Sequence, residues 1–370
     1  MAPDLDVCIR GAGVVGRTLA LLLARDGLRV GLAGSLAAAT HEGGDIRAYA
    51  LNAASRQLLE PLRAWPDEAH ATPVQAMQVH GDEGGEVAFQ APPGNPLAWI
   101  VDVAALQQRL GEALRYQPLV TLLDAPQPAA LTVVCEGRAS ATRAEFGVEF
   151  ALTPYAQQAI ATRVTCEKNH GLVARQWFCE SEILAFLPLG GAAAPAGGNS
   201  LAVVWSVRED RAAGLLALPP EAFEAQLQAA SRDALGRLTL AGVRAAWPLH
   251  LARAGRWCGQ GWALAGDAAH TVHPLAGQGL NLGLADAGEL AAVLRGREAW
   301  RGVGDLKLLR RYERARKADV LAMGAATDGL QLLFAQAGEP WTWLRNRGMW
   351  GFEHSGVLKQ WVARQAMGLP

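Results

Sequence analysis

Close to the N-terminus, Val7-Cys8-Ile9 reads as a buried strand. Gly11-Ala12-Gly13-Val14-Val15-Gly16 follows at once, and then an apolar helix through Leu19, Leu22 and Leu23. Few sequence features restrict a fold so tightly. A strand, a GxGxxG loop and a helix open a dinucleotide-binding βαβ unit. The first glycine allows the tight turn, the second lets the backbone approach a pyrophosphate, and the third lets the helix pack close to the strand. The helix aims its partly positive N-terminus at that anion. A glycine-rich turn without a ligand would not explain all three glycines.

A second segment lies far downstream. Trp262-Ala263-Leu264-Ala265 reads as a strand, which places Asp267 just past its end. Leu284, Ala287, Ala291 and Leu294 share one face of a later helix. Between strand and helix, the glycines of the 274–279 stretch let backbone N–H groups come close to a ligand. The helix points its N-terminus at the same place. Such an arrangement suits a group with hydroxyls on one side and developing negative charge on the other, and reduced flavin is such a group. A site for NAD would be completed near the first loop. Two ligand-facing loops so far apart point instead to a longer cofactor, FAD.

The run His273-Pro274-Leu275-Ala276-Gly277-Gln278-Gly279-Leu280-Asn281-Leu282-Gly283-Leu284-Ala285-Asp286 resembles, without a gap, the signature of the FAD-dependent aromatic monooxygenases of ubiquinone biosynthesis. Asp45-Ile46-Arg47, Tyr155-Ala156-Gln157, His170, Ala185–Leu189, Leu309–Glu313, Thr327–Leu330 and Ala366-Met367-Gly368 are similar to other parts of that family, so the resemblance covers nearly the whole chain. It implies an α/β fold: a FAD-binding Rossmann-like domain (1–73, 98–153, 248–304) interleaved with a mixed β-sheet substrate domain (74–97, 154–247), and a helical C-terminus (305–370). It implies hydroxylation of an aromatic ring, such as that of a prenylated phenol, with O2 as co-substrate. NAD(P)H as a transient reductant or a partner protein would supply electrons. A quinone-synthesising complex and peripheral contact with the inner face of a membrane are compatible with that role; otherwise a cytoplasmic protein is expected.

The resemblance also implies site residues. Cofactor contacts fall to Gly11, Gly13, Val15, Gly16, Arg47, Gln107, Asp267, Pro274, Gly277, Gln278, Gly279, Leu280 and Asn281. Phe186, Leu187, Pro188 and His273 would face the substrate. No residue is named as a catalytic acid or base. Each has a plainer reading. Asp267 can cap the following turn. Arg47 can be a surface charge, and Gln107 a solvent-facing residue of an amphipathic helix. Phe186, Leu187 and Pro188 suit a core in any fold, and His273 can be a satisfied loop histidine.

Four departures from the family concern the end of the site that holds adenosine and the neighbouring strands. Gly34 stands where the family carries an acid that binds the ribose. Glu136-Gly137 replaces Asp-Gly, the segment before Glu136 is short, and Glu182 replaces a glycine. An acid restored at Gly34 is expected to raise FAD affinity unless another residue fills that space. The departures also keep a second reading open, a FAD-weak homologue that acts as a scaffold subunit. A third is a hydroxylase of another aromatic substrate.

Composition narrows the rest. The chain has 370 residues and a net charge of −1, which gives no reason to expect nucleic acid. Its five cysteines lack CxxC spacing, so free thiols are expected and neither a disulfide framework nor a metal is. Met1–Asp6 lacks the basic start and apolar core of a signal peptide, and no apolar run is long enough to span a bilayer. Near the C-terminus, Trp341, Trp343, Trp350 and Trp361 mingle with Arg345, Arg347, Lys359 and Arg364. That segment reads as a helical lid packed on the core, or as a surface that meets lipid headgroups or a polyprenyl tail.

Overall fold

The structure, a computed structural model, describes residues 4–36, 45–81, 84–179, 182–190, 198–272, 278–335, 351, 353, 355 and 356. The glycine-loop unit forms as its sequence dictates. The strand Leu5–Arg10 lies in a six-stranded sheet ordered Cys258–Gly259, Trp262–Leu264, Ala129–Val134, Leu5–Arg10, Val30–Ala33, Val120–Leu123. All neighbours are parallel except the first pair. Val7, Ile9, Val30, Leu32, Leu131 and Val133 are fully buried, as parallel strands covered on both faces require. The helix Val14–Arg25 packs against helices Val103–Arg115 and Gln278–Arg295. In the last of these, Leu284, Ala287, Leu290, Ala291 and Leu294 are fully buried, so the helical period marks the inward face.

A nine-stranded sheet forms the second layer. Its spine is the long strand Phe150–Cys166, flanked by Ala245–Ala254 and Ser200–Arg208. Beyond Ser200–Arg208 come Glu182–Leu189, Val173–Cys179, Ala76–His80 and Glu86–Gln90. The spine is one continuous strand of 17 residues. Its register with Ala245–Ala254 shifts between Pro154 and Gln158. A proline cannot donate to the ladder, so the pattern breaks there although the strand continues.

Two helices, Glu209–Ala217 and Pro220–Ala230, follow the strand Ser200–Arg208. Leu218 precedes a proline and is extended, which separates them. Arg232 and Asp233 then adopt left-handed backbone and end the second. Phe223 and Leu227 of this helix are fully buried with Trp205 and Phe186.

A small antiparallel sheet of Ala48–Leu51, Ala98–Asp102 and Ala71–Val74 lies between the two layers. Leu51, Trp99 and Val101 join the core of the first sheet. Val74 and Ile100 pack with Ala174, Leu189 and Ala202 of the second. Strand alternation thus makes one thin sheet serve both cores. The chain continues as the helix Leu306–Ala335, tied back by a hydrogen bond from Tyr312 Oη to the Leu264 carbonyl at 2.8 Å. Among the described residues, no helix is long and apolar enough to cross a membrane. The tryptophans at 341, 343, 350 and 361 lie outside the described residues.

Candidate cofactor site

The two glycine segments meet. A β-carbon on Gly16 would stand 1.9 Å from the Gly11 carbonyl oxygen, so only glycine permits this helix start. On Gly13 it would meet no atom of the described residues within 4 Å beyond its chain neighbours, so the loop presents bare backbone. The helix Gln278–Arg295 reaches the loop through Gly283, where a β-carbon would lie 2.8 Å from Val15 Cγ2 and 3.4 Å from Gly266 Cα. The Val15 side chain therefore joins one segment to the other. Gly279, in the first turn of that helix, also faces space with no atom within 4 Å of a β-carbon. Leu280 is half-buried against the core.

Asp267 lies in the short turn Gly266–Ala268 after the strand Trp262–Leu264. Its side chain reaches solvent, yet protein crowds it, as on the wall of a cleft. That crowding pushes its carboxyl above the usual range, against the opposing pull of His270, Arg138 and Arg47. Among the described residues the carboxylate accepts no hydrogen bond. Arg47 and Tyr49 are close enough to interact with it electrostatically. Arg47 itself is held by Asp45, through Nε at 2.8 Å and Nη2 at 2.6 Å, which raises its pKa. Arg47 and Asp267 thus belong to one charged group, together with Arg138, which was not expected there.

A buried network stands behind this turn. Asp286 is fully buried. Its Oδ2 accepts from the Gly266 N–H at 2.9 Å and lies 2.7 Å from His270 Nε2, while Oδ1 accepts from Arg316 Nε at 2.8 Å. His270 stacks on Trp257 at 4.9 Å. The carboxylate so fixes the peptide just before Asp267. On the other side, Arg143 donates to the Ala268 carbonyl at 3.1 Å and to that of Arg138 at 2.8 Å. Glu136 accepts from Ser140, at 2.7 Å, and from Thr142, at 2.6 Å, and so holds the turn that carries Arg143. Glu182 accepts from Trp205 Nε1 and pairs with Arg211, so it serves the second sheet. The motif run included Asp286, but nothing local in it reveals a partner thirty residues away on another helix.

The end near Gly34 is built differently from the family pattern. Arg17 is only 3% exposed. Its guanidinium donates to the carbonyls of Ala12 at 2.6 Å, Gln107 at 2.8 Å and Leu36 at 2.8 Å. It thus clamps the glycine loop to the second strand's exit and to the helix Val103–Arg115. Gly34 has φ +136°, and a β-carbon there would lie 2.9 Å from Ala12 N. The exception stated for an acid at Gly34 therefore applies: loop backbone occupies the space. The variant is expected to bind FAD at least fivefold more weakly, from a strain of ~1–3 kcal/mol. Titration of the apoprotein reads this, and tighter binding would refute the packing argument.

Other expected contacts sort by strand and helix geometry. The Asn281 carboxamide serves the protein. Its Oδ1 accepts from Asn52 N at 3.0 Å and Ser55 Oγ at 2.7 Å, and its Nδ2 donates to the Ala50 carbonyl at 2.8 Å. The side chain thus ties the helix to the small sheet, and the expected contact of Asn281 with the cofactor falls to its backbone. Phe186, expected to face substrate, is fully buried and meets Trp177 edge-on at 4.9 Å in the core under the helices. Leu187 points to the opposite face, toward Val74 and Ile100, because strand side chains alternate. Pro188 is buried one step further along. Of the three, Leu187 alone is half-buried on the face toward the small sheet. His273, Pro274 and Gly277 lie outside the described residues, as does the Gln278 side chain.

These features fit FAD. Gln107 Oε1 is buried with no partner among the described residues. The Asp267 carboxylate accepts nothing within the described protein, and Gly13 and Gly279 leave backbone bare. Fold and site together define a dinucleotide-binding α/β protein suited to a flavin. A match to the FAD-binding domain family spans residues 127–326. Ubiquinone hydroxylase UbiL of Rhodospirillum rubrum is 33% identical over 98% of this chain and 89% of its own. The 3-demethoxyubiquinol 3-hydroxylase of Escherichia coli is 31% identical over 98% of each. The solved structure of p-nitrophenol 4-monooxygenase PnpA from Pseudomonas putida DLL-E4 shares the fold, with TM-score 0.73 at 19% identity over 99% of this chain and 97% of that one. The chain belongs to the FAD-dependent hydroxylase family of ubiquinone biosynthesis.

Proposed function

We propose that this protein hydroxylates the aromatic ring of a prenylated phenol on the route to ubiquinone. The overall change is ring C–H plus O2, two electrons and two protons to ring C–OH plus water. Bound FAD supplies the reduction of O2 and the delivery of one oxygen atom. The protein's own residues bind and orient. Asp267 would hold a ribityl hydroxyl, and Gln107 Oε1 a donor toward the adenosine end. The first turn of Gln278–Arg295 would offer backbone N–H groups to negative charge on the flavin ring. Leu187, between the small sheet and the second sheet, would face the substrate and help exclude water. Electrons would come from NAD(P)H or a partner protein. The domain limits given above would place the ring between the two layers.

One observation carries the reading: a crowded carboxylate at Asp267, without a hydrogen bond among the described residues, beside bare helix-start backbone, in a chain that matches two ubiquinone hydroxylases over 98% of its length. The scaffold reading is not favoured, since the glycine loop and the Asp267 turn are both assembled. The test begins with the cofactor. Asp267→Ala is expected to weaken FAD binding by ~1.5–3 kcal/mol, the worth of a hydrogen bond to a charged group. An unchanged dissociation constant in the folded variant would remove Asp267 from the site. Mass spectrometry of quinone intermediates in a deletion strain then identifies the substrate, and accumulation of no unhydroxylated intermediate would overturn the pathway.

A further inference from the structure

The outer face of the helix Leu306–Ala335 has no role in the cofactor site. Lys307, Arg310, Arg314, Lys317 and Leu321 follow one another at spacings of three and four residues, so they form a single stripe. Lys307, Arg310, Arg311 and Arg314 are exposed. With Arg301 and Glu313 they line an open groove of about 560 Å³. Arg301 and Arg311 pair with Glu298, and Lys317 with Glu313. Lys307, Arg310 and Arg314 have no carboxylate partner among the described residues. The chain's net charge is −1, so this positive face is a local concentration.

Two large apolar side chains border it. Trp300 is 75% exposed, with the Arg301 guanidinium 4.3 Å from its ring centroid. Leu321 is 51% exposed at the far end of the stripe. An acidic protein would be matched by the cations but would leave no reason for a bare indole and leucine beside them. A bilayer surface takes both: lipid phosphates meet the cations, while indole and leucine enter the headgroup boundary.

We propose that Trp300 and the Lys307–Leu321 stripe form a docking face for an anionic phospholipid surface. The same helix holds the end of the strand Trp262–Leu264 through Tyr312, so docking would set the cofactor unit at the membrane. This deepens the proposed reading, because a polyprenyl-tailed phenol resides in a bilayer. Vesicle binding is measured without turnover, so either idea can fail while the other stands.

The experiment sediments the full-length holoprotein with vesicles of phosphatidylcholine, with and without phosphatidylglycerol. Binding is expected only to the anionic vesicles and is expected to weaken with salt. The triple variant Lys307→Gln, Arg310→Gln, Arg314→Gln should bind about a hundredfold more weakly, at about fivefold per basic residue. Trp300→Ser should weaken binding without changing its salt dependence. Retained flavin absorbance shows that each variant is folded. Equal binding to both vesicle types, undiminished binding by the triple variant, or capture of tripolyphosphate or an acidic protein with no vesicle binding would each overturn the proposal.

Discussion

Asp286→Ala is expected to cost about 3–5 kcal/mol of stability, the cost of leaving a buried charge without its partner. The charge left behind is Arg316, whose Nε donates to Asp286 at 2.8 Å in a nearly closed environment and which would keep only the solvent-exposed Asp319 as a carboxylate partner among the described residues. The variant also frees the Gly266 N–H and His270 behind the Asp267 turn. FAD binding should therefore fall with stability. Urea unfolding of the variant measures the first effect, and a midpoint equal to wild type would show that the network carries no weight. The same carboxylate makes a prediction about pH. Burial alone would raise its pKa, but His270 and Arg316 outweigh burial and hold it below the usual range. A carboxyl depressed in the folded state contributes fully above its unfolded value of about 4 and loses that contribution as pH falls through the folded value. Wild type should thus lose stability in acid more steeply than Asp286→Asn, which cannot titrate there. Parallel curves would contradict the ion-pair account.

Gly279→Val is expected to abolish hydroxylation while leaving the fold. Beyond its chain neighbours and its own helix turn, a β-carbon at this position meets no atom of the described residues within 4 Å, so they leave room for it. Helix propensity raises no objection, since valine is no worse than glycine in a helix. In the proposed site that room belongs to the flavin. A branched side chain would keep the ring from the N–H donors of the helix start, and losing one preorganised donor typically costs ~10²–10³ in rate. Wild type and variant are to be compared by complementation of a quinone-deficient strain, with hydroxylated intermediates measured. Equal complementation would show that the helix start does not touch the reacting group. Failure of the wild type as well would point to the wrong substrate rather than the wrong site.

Local chemistry was legible in the sequence wherever it is periodic or sterically exclusive. The glycine loop is one case, because a β-carbon on Gly16 would collide with the Gly11 carbonyl. The buried face of Gln278–Arg295 is another, because a 3.6-residue period shows directly which residues turn inward. The long strand Phe150–Cys166 was less legible, since Pro154 interrupts its ladder without ending it. The direction of Phe186 was not legible at all. A buried strand is apolar on both faces, so nothing in Ala185-Phe186-Leu187-Pro188 says which side meets the helices and which meets the small sheet.

By itself, then, the sequence determined the βαβ opening, the inward face of the helix Gln278–Arg295 and the family to which the chain belongs, because each is written in neighbouring residues. Tertiary structure alone decided how those pieces act together. It placed Val15 against Gly266 and Gly283, and put Asp286 between His270 and Arg316. It also turned Arg17 into a clamp on the loop of Ala12, where Gly34 leaves no room for an acid. Such contacts join segments remote in the chain, and their energy depends on burial and on hydrogen-bond geometry. Neither exists until the sheets have closed around them.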